Sequence, residues 1–187
     1  MKIDIVVSLL KLCDPKIMFD DIYNALHIFD LNKEDICNLN VDDVEIFEKV
    51  TKFDAKKIIN HFDVETYLKN ILKVKHLNNS PFFLGIYFYA KCLFKRKLNL
   101  KIKENQQIPL FAGCLSLAQK FILDYRFKDK DLSNISLVPI DKLNRIQIFI
   151  LCELLNQKIF VTKKRLSMFG KWITGILTKV HANDHEN

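Results

Sequence analysis

The chain has 187 residues, a hydrophobic fraction of 49% and a formal net charge of +7. This length suits one domain, or one domain with an extension, and the apolar content is enough to fill a core. Four glycines and four prolines argue against a sheet-rich fold full of tight turns, and no run approaches the ~18 apolar residues that would cross a bilayer.

The opening segment MKIDIVVSLLKLC is interrupted by Asp4 and closed by Lys11, and no small-residue cleavage site follows it. A secretory signal is therefore not expected. The five cysteines, Cys13, Cys37, Cys92, Cys114 and Cys152, are far apart, with no C-x-x-C pair and no histidine at ligand spacing. They read as reduced, mostly buried thiols of a nuclear or cytoplasmic protein, and no zinc site is expected. Residues 1–64 hold 8 Lys/Arg against 13 Asp/Glu, a net of −5, whereas residues 65–187 hold 21 against 9, a net of +12. A basic half can attract nucleic acid or an acidic partner. Here the cations are scattered along the sequence, which favours a solvated lysine-rich surface.

The apolar spacing predicts short helices over 3–12 and 19–28. Asn32 and Asp42 stand where N-caps would stand, each ahead of acidic residues. DDVEIFEKV and DAKKIINHF supply two further short amphipathic pieces. A clearer helix is expected over Val64–Lys75, with Tyr67, Leu68, Ile71, Leu72 and Val74 on one side. Ser80 is a suitable N-cap and Pro81 a suitable first residue for an aromatic-rich helix running to Phe94, because the missing proline N–H would have no helical partner there. The polar stretch KRKLNLKIKENQQ then reads as a loop.

Residues 106–119, QQIPLFAGCLSLAQ, carry no charge. From Pro109 this segment is apolar on nearly every face, so it predicts a helix enclosed by other helices. Ala112, Gly113 and Ala118 would let those neighbours approach closely. A loop with a short helical turn is expected over 124–138. After Pro139, a long amphipathic helix over 140–156 has the stripe Leu143, Ile146, Ile150, Leu151, Leu154 and Leu155, with Gln147 in its midst. A last helix is expected over 162–179, containing Met168, Phe169, Trp172, Ile173 and Ile176, with a frayed tail HANDHEN. Trp172 is expected to pack on its own domain. Together these elements describe an all-α globule, with five helices between 64 and 156 gathered around one buried helix.

Residues 64–162 resemble the cyclin box, and most closely that of the phosphate-signalling (P-type) cyclins. VETYLKNILKVKHLNNSPFFLGIYFYAKCLF is similar to the first two box helices. The similarity continues through PLFAGCLSLAQKFILDYRFKDKDLSNISLVPIDKLNRIQIFILCELLNQKIFV. Ala118-Gln119-Lys120-Phe121, Asp124 and Leu143-Asn144 fall on the family's positions without a gap between Lys120 and Asn144. The resemblance implies a five-helix cyclin fold around a central helix (64–162), with an N-terminal helical extension (1–63) and a C-terminal helix and tail (163–187). It also implies a regulatory subunit that binds and activates a cyclin-dependent-type protein kinase. In the family, a lysine ending the third box helix and a glutamate on the fifth grip the kinase's mobile C-helix. Lys120 falls on the lysine, Phe121 beside it offers an apolar anchor, and Gln147 falls on the glutamate. Leu151 adds to the apolar surface of the fifth helix. DAKKIINHF is the candidate for the helix that precedes the box.

Three positions depart from the family pattern. Gln147 keeps an acceptor but loses the charge, so a charge-assisted bond becomes a neutral one. Lys91-Cys92 stands where the family has an aspartate–arginine pair, and Pro109 stands where a basic residue opens the third helix. Fewer than 30 residues follow Phe160, too few for the second repeat of the cell-cycle cyclins. A cyclin-fold scaffold, or a transcription-related module akin to general factor IIB, is the competing reading, although the second repeat and zinc ribbon of that factor have no counterpart here. Phosphate loops, paired carboxylates and nucleophile–base arrangements are missing from the pattern. His181 and His185 have metal-compatible spacing but lie in the tail. Catalysis, a cofactor, a bound metal, a small-molecule substrate, nucleic acid and a membrane are therefore not expected as parts of the function.

Overall fold

A computed structural model describes residues 27–30, 80–96, 104–122 and 129–184. Among these, every regular element is helical, so the all-α class stands. The elements are α1 (Ser80–Arg96), α2 (Glu104–Ile122), α3 (Asp129–Ser136), α4 (Ile140–Phe149, continued by a π-helical turn Ile150–Leu154) and α5 (Lys163–Asp184). The helices expected over 3–12 and 64–75, all but the last two residues of the one expected over 19–28, the pieces DDVEIFEKV and DAKKIINHF, the caps at Asn32 and Asp42, and Asp124 lie outside the described residues.

The uncharged segment becomes the centre of the molecule. Leu110, Phe111, Ala112, Cys114, Leu115 and Ala118 of α2 are fully buried. α1, α3 and α4 all pack against this helix. The small residues decide how close they come. A Cβ built on Gly113 would lie 2.6 Å from Ile146 Cγ2 and 2.7 Å from Ile150 Cδ1 on α4. Gly85 of α1 plays the matching part on the other side, where a Cβ would lie 2.6 Å from Leu115 Cδ2 and 3.2 Å from Leu115 Cα. Hydrogen in place of a methyl at these two points lets three helices share one core.

Helix boundaries differ from the sequence expectation in four places. α2 starts at Glu104, so Pro109 lies inside the helix rather than at its start. Proline removes one i→i−4 bond, to the Asn105 carbonyl; the burial of the following turns holds the helix together across that gap. α4 gives way to a π turn, with Leu155 N–H donating to Ile150 O at 2.8 Å, and ends where Asn156 and Gln157 take positive φ (48° and 58°). Gln157 N–H closes the end on Leu151 O, six residues back, at 2.8 Å, so one of the last carbonyls of the helix is satisfied by the turning chain. α5 continues to Asp184, through most of the tail expected to fray. Ser80 is the first residue of α1 rather than its cap.

α5 opens on Thr162, whose hydroxyl accepts from Arg165 N–H at 3.2 Å as an N-cap oxygen should. Its apolar side then closes an aromatic cluster. Phe169 is fully buried, with ring centroids 5.2 Å from Tyr87, 5.6 Å from Phe83 and 5.9 Å from Phe29. Trp172 packs on its own domain, as expected, 5.7 Å from Phe29 and edge-on to it. Phe29 belongs to a short segment that lies between α1 and α5 and is held there in two further ways. Tyr87 Oη donates to Ile28 O at 2.9 Å, and Arg165 Nη2 reaches Asp30 Oδ1 at 2.7 Å. Burial pushes the Tyr87 hydroxyl up to about 12, with nearby Arg165 lowering it and Asp30 raising it, so it remains a donor. Cys92 and Cys114 are buried free thiols, whereas Cys152 is exposed. Burial, followed by a hydrogen bond with the Cys92 side chain, holds Cys114 in its protonated form.

Candidate functional site

The last turn of α2, the first residue of α3 and the middle of α4 converge on four polar side chains. Each is placed by its helix. Ser116 and Lys120 stand four residues apart, so they share a face of α2. Asp129 opens α3, where a carboxylate is favoured by the N–H groups of the first turn. Gln147 follows the buried Ile146 on α4 and lies at the edge of its core face.

Lys120 Nζ donates to Gln147 Oε1 at 2.5 Å and pairs with Asp129 Oδ2 at 2.8 Å. Ser116 Oγ donates to Asp129 Oδ1 at 2.7 Å. Burial works to raise the Asp129 pKa. The hydrogen bonds from Lys120 and Ser116, together with the Lys120 charge, outweigh that effect and hold it below the ordinary carboxylate value. Gln147 Nε2 points the same way and adds a smaller contribution, although it falls short of a hydrogen bond. Lys120 therefore ties three helices together at one point.

The four residues expected to meet a partner have different surroundings. Lys120 is partly exposed, with 32% of its side chain accessible. Phe121 is 48% exposed, and Ile122 next to it is 41% exposed. Leu151, expected in the buried stripe, is only half-buried, because it stands on the flank of α4 rather than on the core line through Leu143, Ile146, Ile150 and Leu154. Gln147 is 5% exposed; its reach to a partner is indirect, through the lysine it positions. The aspartate–arginine position holds Lys91 and Cys92, both buried in α1.

Sequence reasoning missed Ile148, which is 63% exposed. Ile140, Asn144, Ile148 and Leu151 recur at helical spacing along one side of α4, and the first three are exposed. Phe121 and Ile148, both exposed, each follow a member of the Lys120–Gln147 pair in sequence, one on each helix. A hydrophobic-moment reading finds the dominant core face and passes over this second, weaker stripe. Asp129 and Ser116 were missed as well. Nothing in their local pattern distinguishes them from an ordinary cap and an ordinary small helix residue. The arrangement offers a positioned cation, a neutral amide behind it and an apolar rim. It contains no nucleophile–base pair, and no metal-ligating cluster occurs among the described residues. No described helix is long and apolar enough to cross a membrane.

No family model matches the chain, and neither a curated protein nor a solved structure was found to match it.

Proposed function

We propose that the chain is a cyclin-like regulatory subunit, with a single five-helix cyclin fold, that binds and activates a cyclin-dependent-type protein kinase. The observation that carries this reading is the Lys120–Gln147 bond at 2.5 Å between the end of the buried central helix and α4. The two positions that the cyclin resemblance pairs as a grip on the kinase lie 27 residues apart in sequence and meet in space. An ammonium has three donors, and two are directed at Gln147 and Asp129. The third is available to a carbonyl on a partner. Phe121, Ile122 and Ile148 would supply the hydrophobic part of the contact, at about 1.5–3 kcal/mol for each side chain fully covered, before the costs of association are subtracted. Binding would press the kinase C-helix inward, complete its internal lysine–glutamate pair and order its activation loop.

A scaffold that keeps the cyclin fold without activating a kinase is the second reading. It is favoured by Asp129, whose carboxylate holds Lys120 in an intramolecular pair and competes with any partner for it.

The test is affinity purification of tagged wild-type chain beside Lys120→Glu and Ile148→Asp, with kinase activity measured on the eluate. The activator reading expects a cyclin-dependent-type kinase with the wild type, active on a peptide substrate, and at least a tenfold loss in both variants, which is ~1.4 kcal/mol. A kinase that binds but stays inactive supports the scaffold. If no kinase is recovered with folded wild-type protein, the activator reading is wrong and the scaffold reading moves ahead.

A further inference from the structure

From Leu154 to Asn183 the sequence has six Lys/Arg and no Asp or Glu. One of these cations, Arg165, is engaged by Asp30 at 2.7 Å. Lys163, Lys164 and Lys171 are exposed, and none pairs with a carboxylate among the described residues. Lys164 and Lys171 are seven residues apart, two turns along α5, and share one side of it. Between and beyond them on the same side lie Ser167, Thr174 and Gly175, all exposed and all small. Phe160, two residues before the Thr162 cap, is 75% exposed, the highest value among the large apolar side chains described. The lysine side of α5 lies opposite Phe169 and Ile173, its buried residues, and contains none of the residues around Lys120.

We propose that Phe160, Lys163, Lys164 and Lys171 form a docking face for single-stranded nucleic acid. The lysines would contact successive phosphates, and the Phe160 ring would stack on a base. Lys164 and Lys171 are separated by about 10 Å at 1.5 Å per residue, a span that neighbouring phosphates of an extended single strand can bridge. Ser167 between them, and Thr174 and Gly175 beyond, leave the backbone of the strand room to lie close to the helix. A base provides a flat ring for an aromatic side chain and its phosphate provides an anion beside it, so one ligand satisfies both halves of the face. A membrane surface suits it less well. The apolar side of α5, with Phe169 and Ile173, is committed to the protein core, which leaves Phe160 alone to enter the lipid. An acidic protein surface would satisfy the lysines but supplies no partner for the bare ring.

The test is fluorescence-anisotropy titration of the full chain with a short labelled oligothymidylate over a range of salt concentrations. The proposal expects log K to fall linearly with log salt. The double variant Lys164→Gln/Lys171→Gln should flatten that slope by about 1.4, at ~0.7 per phosphate contact on a single strand. Phe160→Ala should leave the slope unchanged and weaken binding by about tenfold at fixed salt, the loss of one stacked base. A charge-matched control, Lys130→Gln/Arg145→Gln, removes two exposed cations elsewhere and should leave the slope as in wild type. An equal flattening in the control would reduce the effect to net charge and overturn the proposal. So would full affinity in Phe160→Ala, or retention of the chain by phosphatidylserine vesicles with no binding to the oligonucleotide.

Discussion

Replacing Asp129 by asparagine probes the polar junction without changing its shape. The amide keeps an acceptor for Ser116 Oγ, now 2.7 Å from Oδ1, but loses the charge that faces Lys120 Nζ at 2.8 Å. Hydrogen bonds to charged groups contribute about 1.5–3 kcal/mol each. The Lys120 and Asp129 side chains are 32% and 24% accessible, so solvent screening reduces that range, and about 1–2 kcal/mol is expected. For a chain of this length each kcal/mol moves the melting midpoint by roughly 2–4 °C, so Asp129→Asn should melt roughly 2–8 °C below wild type at pH 7. The pH dependence gives a second, independent check. The folded-state pKa of Asp129 is lowered, so the unfolded state binds its proton more readily. The stabilisation is therefore fully present above about pH 4, the unfolded carboxylate value, and is lost as pH falls through the folded value. Melting curves of both proteins between pH 7 and pH 3 should converge toward the acid end. Equal midpoints at pH 7 would refute the junction's energetic role, and a gap that stays constant to pH 3 would refute its electrostatic origin.

The glycine contacts predict an order of damage. Gly113→Ala forces a methyl against the Cγ2 branch of Ile146 and the Cδ1 tip of Ile150, side chains rather than backbone, so overpacking of about 1–3 kcal/mol is partly offset by ~1 kcal/mol of helix propensity. Gly85→Ala also meets the Leu115 Cα at 3.2 Å, where the backbone must move, and it should unfold at lower urea than Gly113→Ala; the reverse order would contradict the packing described. Phe29→Ala empties a fully buried ring site among Tyr87, Phe169 and Trp172 and should cost about 3–5 kcal/mol, measured by urea titration; a loss under 1 kcal/mol would mean that residues 27–30 are not part of the core. Leu137 has φ of 55° and is 41% exposed at the turn between α3 and α4. Leu137→Gly relieves a left-handed strain of about 1–2 kcal/mol at an entropic cost of about 0.5–1 kcal/mol, so the melting midpoint should stay level or rise slightly.

The sequence by itself determined the helical class, because scarce glycine and proline and 3.6-residue apolar spacing leave no other way to bury these side chains. It also located the central helix, since the uncharged segment over 106–119, apolar from Pro109 onward, can only be enclosed. Gly113 was legible as a thin place for the same reason, and Trp172 as a residue that packs on its own domain. Other features depend on what lies across the interface. Gly85 reads as an ordinary helix glycine until Leu115 is placed against it. Pro109 reads as a helix start until the flanking turns are seen to be helical on both sides. The identity of Lys120's partners was not legible, because Asp129 lies nine residues away and Gln147 27 residues away, and only the packing of α2, α3 and α4 brings their side chains within hydrogen-bond reach. Periodicity records which side of a helix avoids water; which residues meet across two helices depends on their packing angle and separation, set by the small residues at the crossing, and only the tertiary structure decides that.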